Sequence, residues 1–136
     1  MRRLVPWVMA AVMVAGCGSD STSPTVASVA GSYHATTFTA TNGSGAIDLL
    51  AAGASVTAVL DANGTTTGHL LVPAAVTGTT PIDEDLTGTW TLANNQVTFN
   101  QSADTFLRGV VFNVSGNTLV GNGAFSGTTL HVVLSK

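Results

Sequence analysis

From Val29 to Lys136 apolar and polar residues alternate in short runs, with Gly, Asn or Asp between them. A period of two belongs to a strand with one buried face, and no stretch carries the long period of an amphipathic helix. The clearest case is Leu86-Thr87-Gly88-Thr89-Trp90-Thr91-Leu92, followed after Ala93-Asn94-Asn95-Gln96 by Val97-Thr98-Phe99-Asn100. A two-residue turn at Asn94-Asn95 uses the tolerance of Asn for positive φ. It sets Leu92 opposite Val97 and Trp90 opposite Phe99, with Thr91 opposite Thr98 on the other face. One face is then wholly apolar and the other polar, so the register is internally consistent.

Two more hairpins follow the same logic. Phe112–Ser115 meets Thr118–Val120 through Gly116-Asn117, with Val114 facing Leu119. Val56–Leu60 meets Gly68–Val72 through Asp61-Ala62-Asn63-Gly64. A three-residue turn with Gly64 in the left-handed region there groups Val56, Ala58 and Leu60 with Gly68, Leu70 and Val72. Counting on predicts about eight strands, at 29–40, 54–61, 65–72, 86–93, 96–101, 105–115, 118–122 and 127–135. Most are joined by turns of two to five residues. The expected fold is therefore all-β: an antiparallel meander closing into a small up-and-down barrel, with an open β-sandwich as the alternative. Two connections are longer, 41–53 and 73–85.

The first seventeen residues differ from this pattern. Met1-Arg2-Arg3 is basic, Leu4 to Ala15 is an almost unbroken apolar run, and Gly16-Cys17 follows. This is the layout of an export signal, and about a dozen apolar residues fall short of the ~20 that span a bilayer. Val14-Ala15-Gly16-Cys17 resembles the lipobox of bacterial lipoproteins, a branched apolar residue, two small residues and Cys. That resemblance implies that residues 1–16 are removed as a signal peptide and that Cys17 carries lipid. Two or three acyl chains anchor firmly where one would not. The next residue, Gly18, is not the Asp that resembles an inner-membrane retention signal, which favours the outer membrane of the cell envelope. Residues 17–28 then read as the lipidated Cys and a flexible Ser- and Thr-rich tether, and 29–136 as the β domain.

Composition narrows the function. The 136 residues include four Lys or Arg and seven Asp or Glu, and only 8% are charged. With no basic stripe, nucleic acid is not an expected partner. From Cys17 onward only Arg108 and Lys136 remain as cations against all seven acids, a formal charge of −5, which leaves lipid rather than charge to hold the protein to its membrane. One Cys permits no internal disulfide and no Cys-rich zinc site.

Gly31-Ser32-Tyr33, opening the first strand, is similar to the Gly-x-Trp start of lipocalins. The long connection after the first strand and the eight-strand meander are lipocalin-like too. The resemblance implies a barrel whose first loop covers an open mouth. Tyr33 stands where that family has Trp, and the last strand carries no Arg to pack against the ring. Avidin-like barrels share the strand count but line their sites with several tryptophans, whereas only Trp90 lies beyond Cys17.

No nucleophile–base pair stands out, so no enzyme, metal site or cofactor is expected. His34, His69 and His131 lie on three different strands, the latter two out of step with the apolar residues. Asp83-Glu84-Asp85 reads as a solvated loop. Arg108 falls in step with Phe106, Val110 and Phe112, an unusual place for a cation; it either meets an acidic ligand group inside the barrel or pairs with an acid such as Asp104. The aromatic residues, Phe125 among them, either line a pocket or fill the core. Two functions compete. In one, the anchored barrel holds a small hydrophobic ligand under 41–53, contacted by Leu49, Leu50, Trp90, Phe112 and Arg108, with Ile47 also at the mouth. In the other, the barrel is filled and its surface meets an envelope protein.

Overall fold

The computed structural model describes residues 23–103, 105–125 and 127–136, with only the backbone of Phe106 and Phe125. The expected signal peptide, Cys17, the expected tether up to residue 22 and Asp104 lie outside the described residues. The elements are α1 (Val26–Val29), β1 (Gly31–Asn42), β2 (Gly45–Asp48), β3 (Ser55–Leu60), β4 (Thr65–Val72), α2 (Ala74–Thr77), β5 (Ile82–Asp85), β6 (Gly88–Ala93), β7 (Gln96–Gln101), β8 (Val111–Ser115), β9 (Thr118–Phe125) and β10 (Thr128–Ser135).

Eight of the strands form a closed antiparallel ring, in the order β1, β3, β4, β6, β7, β8, β9, β10, and β10 pairs back onto β1. The fold is thus the barrel rather than the open sandwich, and closure removes both sheet edges. The three predicted hairpins have the expected registers. Asn94 and Asn95 take φ of 52° and 62°, and Trp90 faces Phe99, Thr91 faces Thr98 and Leu92 faces Val97. Val114 faces Leu119 across a turn with Gly116 at φ 58°. Gly64 is at φ 91°, and Val56, Ala58 and Leu60 meet Leu70, Gly68 and Thr66.

The remaining strands prolong the ring at one end. The register pairing Val72 with Ile82 and His69 with Asp85 continues unshifted through Thr66–Gly88 and Thr65–Thr89. β5 and β6 are therefore two parts of one strand, interrupted at Leu86-Thr87, where the Leu86 N–H still donates to the Gly68 carbonyl at 2.9 Å. β2 lies on the same edge of β1 that β3 occupies further down. Residues 50–53 bulge out between them, closed by the Ala54 N–H donating to the Leu49 carbonyl at 2.9 Å. The two long connections thus contain strand, and 73–85 also holds α2. This corrects the reading of both as plain loops.

The span 105–115 is corrected as well. Phe106–Gly109 is a 3-10 turn, and the strand begins only at Val111. Residues 26–28, read as tether, belong to α1, where Thr25 and Ser28 form a reciprocal capping box.

The turns at 61–64, 94–95 and 116–117, α1 and Lys136 gather at one end of the barrel, and the interior is plugged there. Val29 and Tyr33 are buried there, and the Tyr33 hydroxyl donates to the Val29 carbonyl at 2.6 Å. Lys136 donates to the carbonyls of Ser28 and of Ala30, the latter at 3.1 Å, with its ammonium 5.7 Å from the Tyr33 ring centre. A cation from the last described residue therefore covers the ring. Above this seal Trp90, Phe99, Phe112, Leu60, Leu119 and Leu134 are buried. Phe99 and Phe112 meet edge to face at 5.4 Å between ring centres.

A bulge in β1 sets what lies above. The pairing with β10 shifts between Ala35 and Thr37, so the inward set changes from Tyr33 and Ala35 to Phe38 and Ala40. Without the extra residue, Phe38 would face solvent. With it, Phe38 is buried at the upper level of the barrel.

Candidate functional site

The longer connections surround the opposite end, and there a cavity of about 450 Å³ opens. Its walls come from six elements and the turn after α2. Phe38 and Ala40 come from β1, Leu49 from the end of β2, and Val72 from the end of β4. Val76 comes from α2, Ile82 from β5, and Thr128 and Leu130 from β10; Thr77, Thr79 and Thr80 complete the lining. Phe38, Leu49, Val72 and Leu130 are buried and form the deep part. Thr79 and Thr80 are exposed, and Val76, Thr77, Ile82 and Thr128 are half-buried between the two levels.

Local chain chemistry explains these walls. Pro73 precedes α2 and Gly78 ends it at φ 81°, a start and a stop that suit Pro and Gly. The Thr77 hydroxyl donates to the Thr80 carbonyl at 2.8 Å, folding residues 77–80 back over the rim. Asp48 accepts from the N–H groups of Leu50 and Ala51 at 3.1 and 3.3 Å, turning the chain just after Leu49. Leu49 donates its own N–H to the Phe38 carbonyl at 2.8 Å, which keeps its side chain in the inward set.

Of the residues expected to contact a ligand under 41–53, Leu49 lines this cavity, and of the aromatic residues that could line a pocket Phe38 does. Leu50 is half-buried against the core. Ile47 points outward and is 49% exposed, against 3% for Leu49. Trp90 and Phe112 belong to the packed core lower down, and the indole N–H of Trp90 donates to the Asp61 carbonyl at 2.9 Å. Arg108 is exposed in the last turn of the 3-10 segment. It is not in the inward register that a continuous strand would have given it. The lining residues not expected at a site include Val72 and Leu130, which the alternation assigns simply to the apolar face, and Val76, Ile82 and the rim threonines. The run Pro73-Ala74-Ala75-Val76-Thr77-Gly78 was the available signal for Val76.

The titratable groups around the mouth lie outside the cavity. His69 is on the outer face of β4, its Nε2 2.7 Å from Asp83 and its Nδ1 3.2 Å from Asp85. The acids thus sit on a strand beside a histidine rather than in a free loop. His131 Nδ1 lies 2.6 Å from the Asn122 amide oxygen, also on the outside. Among the described residues no group of His, Cys, Asp and Glu converges as a metal site, and no helix is long and apolar enough to cross a membrane.

In comparison with known proteins, no family model matches the chain, and neither the curated proteins nor the solved structures give a match.

Proposed function

We propose that this is a lipid-anchored protein of the bacterial cell envelope that holds a small hydrophobic molecule in the mouth of its barrel. The carrying observation is the cavity: about 450 Å³, with an apolar floor of Phe38, Leu49, Val72 and Leu130. Sites for small molecules are typically concave, mostly apolar and about 300–1,000 Å³ in size. The anchoring half rests on the basic start, the short apolar run and Val14-Ala15-Gly16-Cys17. The packed lower core around Trp90 and Phe112 supports the competing reading, a filled barrel that meets an envelope protein.

Native mass spectrometry of protein purified from its own host tests the choice, with Ala40→Trp as the control that fills the cavity. The binding reading predicts a co-purified small molecule that is lost from Ala40→Trp. Protein that is empty in both forms, and that takes up no fluorescent apolar probe, leaves the interaction reading in its place.

A further inference from the structure

The lining of the mouth cavity also limits the charge of its occupant. Resting on the binding reading above, we infer that the ligand is an uncharged amphiphile, with its chain on the apolar floor and a hydroxyl or carbonyl head among the threonines of the rim.

None of the residues lining the cavity is charged. Its polar side chains are hydroxyls, those of Thr77, Thr79, Thr80 and Thr128. The Thr77 hydroxyl already donates to the Thr80 carbonyl and is left to accept. A threonine hydroxyl otherwise both donates and accepts, so this rim can satisfy an alcohol, ester or carbonyl head. A carboxylate or ammonium drawn below the exposed Thr79 and Thr80, to the level of the half-buried Thr77 and Thr128, would lose hydration with no opposite charge to replace it.

The surroundings disfavour an anion further. Asp48 directly precedes Leu49, and Asp83, Glu84 and Asp85 directly follow Ile82, so the acids flank two of the lining residues. Glu84 pairs with Leu70 and shares the inward side of β5 with Ile82, but it is exposed and outside the lining. His69 faces Asp83 and Asp85 on the outer surface, away from the lining. An exposed carboxylate acts on an amine only through screened solvent, so Glu84 does not turn the pocket into an ammonium site.

Three straight-chain competitors of equal length decide the matter: 1-decanol, decanoate and decylamine. Each is titrated at pH 7.5 against N-phenyl-1-naphthylamine, an uncharged fluorescent probe, bound to the chain carrying Cys17→Ser. Decanol should displace the probe at a concentration about tenfold or more below either ion. Thr79→Lys, an exposed rim position that leaves the core untouched, should narrow or reverse the gap between decanol and decanoate. Equal or better displacement by decanoate or decylamine in the parent chain overturns the inference and leaves the binding reading standing. An unchanged preference in Thr79→Lys removes the head group from the rim. Failure of the probe itself to bind removes both readings together.

Discussion

The Lys136 ammonium stands 5.7 Å from the centre of the Tyr33 ring, so the last described residue and the first strand close the same end of the barrel. Lys136 also donates to the carbonyls of Ser28 and Ala30, which flank the end of α1. One side chain thereby joins the last strand's end to the segment 28–33, more than a hundred residues away in sequence. Lys136→Met should cost about 1–2 kcal/mol, from one exposed cation–π contact and the bonds to carbonyls. Urea denaturation measures it, and a loss near zero would mean that the contact does not hold the end shut.

Tyr33 gives this seal a pH dependence. Burial raises its phenol above the ordinary value of 10.0. As pH rises past 10, the unfolded chain releases this proton before the native one does, so the native state holds more protons and stability falls. The contribution is fully present below pH 10 and is lost as pH climbs through the raised value. Tyr33→Phe should be less stable at neutral pH by about 1 kcal/mol, the worth of the bond to Val29. Its stability curve should also lack the part of the alkaline decline due to Tyr33. An unaltered alkaline slope would contradict a buried phenol.

The predicted inward face of the Trp90 hairpin is also a stability claim. Trp90→Ala removes a buried ring and its bond to Asp61, and should cost on the order of 3–5 kcal/mol. Thr91, on the opposite face, shares an exposed hydroxyl contact with Thr98 at 2.7 Å, so Thr91→Ala should be mild. A loss below ~1 kcal/mol at Trp90 would contradict the register.

Gly88 and Gly68 mark where the barrel wall is tightest. A Cβ on Gly88 would lie 2.1 Å from the Asn100 carbonyl oxygen, and one on Gly68 equally close to that of Thr57. Backbone cannot yield as a flexible side chain can. Gly88→Ala should therefore destabilise strongly or prevent folding, while Gly109→Ala, with open space around it, should be close to neutral by thermal unfolding. Equal melting temperatures for the two variants would contradict the close approach.

The hairpins were legible in the sequence because a two-residue turn and strict alternation fix a register with no help from the rest of the fold. Asn94-Asn95 and Gly116-Asn117 are of this kind. The upper barrel was less legible. The bulge at Thr36 changes which parity of β1 faces inward, and only pairing with β10 reveals it. Phe106, Arg108, Val110 and Phe112 alternate as a strand does, yet the first part of that run turns into a 3-10 segment. The cavity was hidden for another reason. Its apolar residues come from segments up to about ninety positions apart, from Phe38 to Leu130, and each alone is indistinguishable from a core residue.

The lipobox-like stretch Val14-Ala15-Gly16-Cys17 leads to its own prediction. Mass spectrometry of the membrane fraction should find a mature chain beginning at Cys17 with diacylglycerol on its sulfur and, in most hosts, an acylated amino group. A soluble chain starting elsewhere would remove the anchor from the account.

The central claim is that the mouth, not the packed lower barrel, receives a small molecule. Methyl resonances report on it directly when an uncharged apolar probe is titrated into the chain carrying Cys17→Ser. Leu49, Val72, Val76, Ile82 and Leu130 should shift in a saturable way, while Val97, Leu119 and Leu134 in the lower core stay in place. Shifts confined to the lower core, or no saturable shift at the mouth, would contradict it.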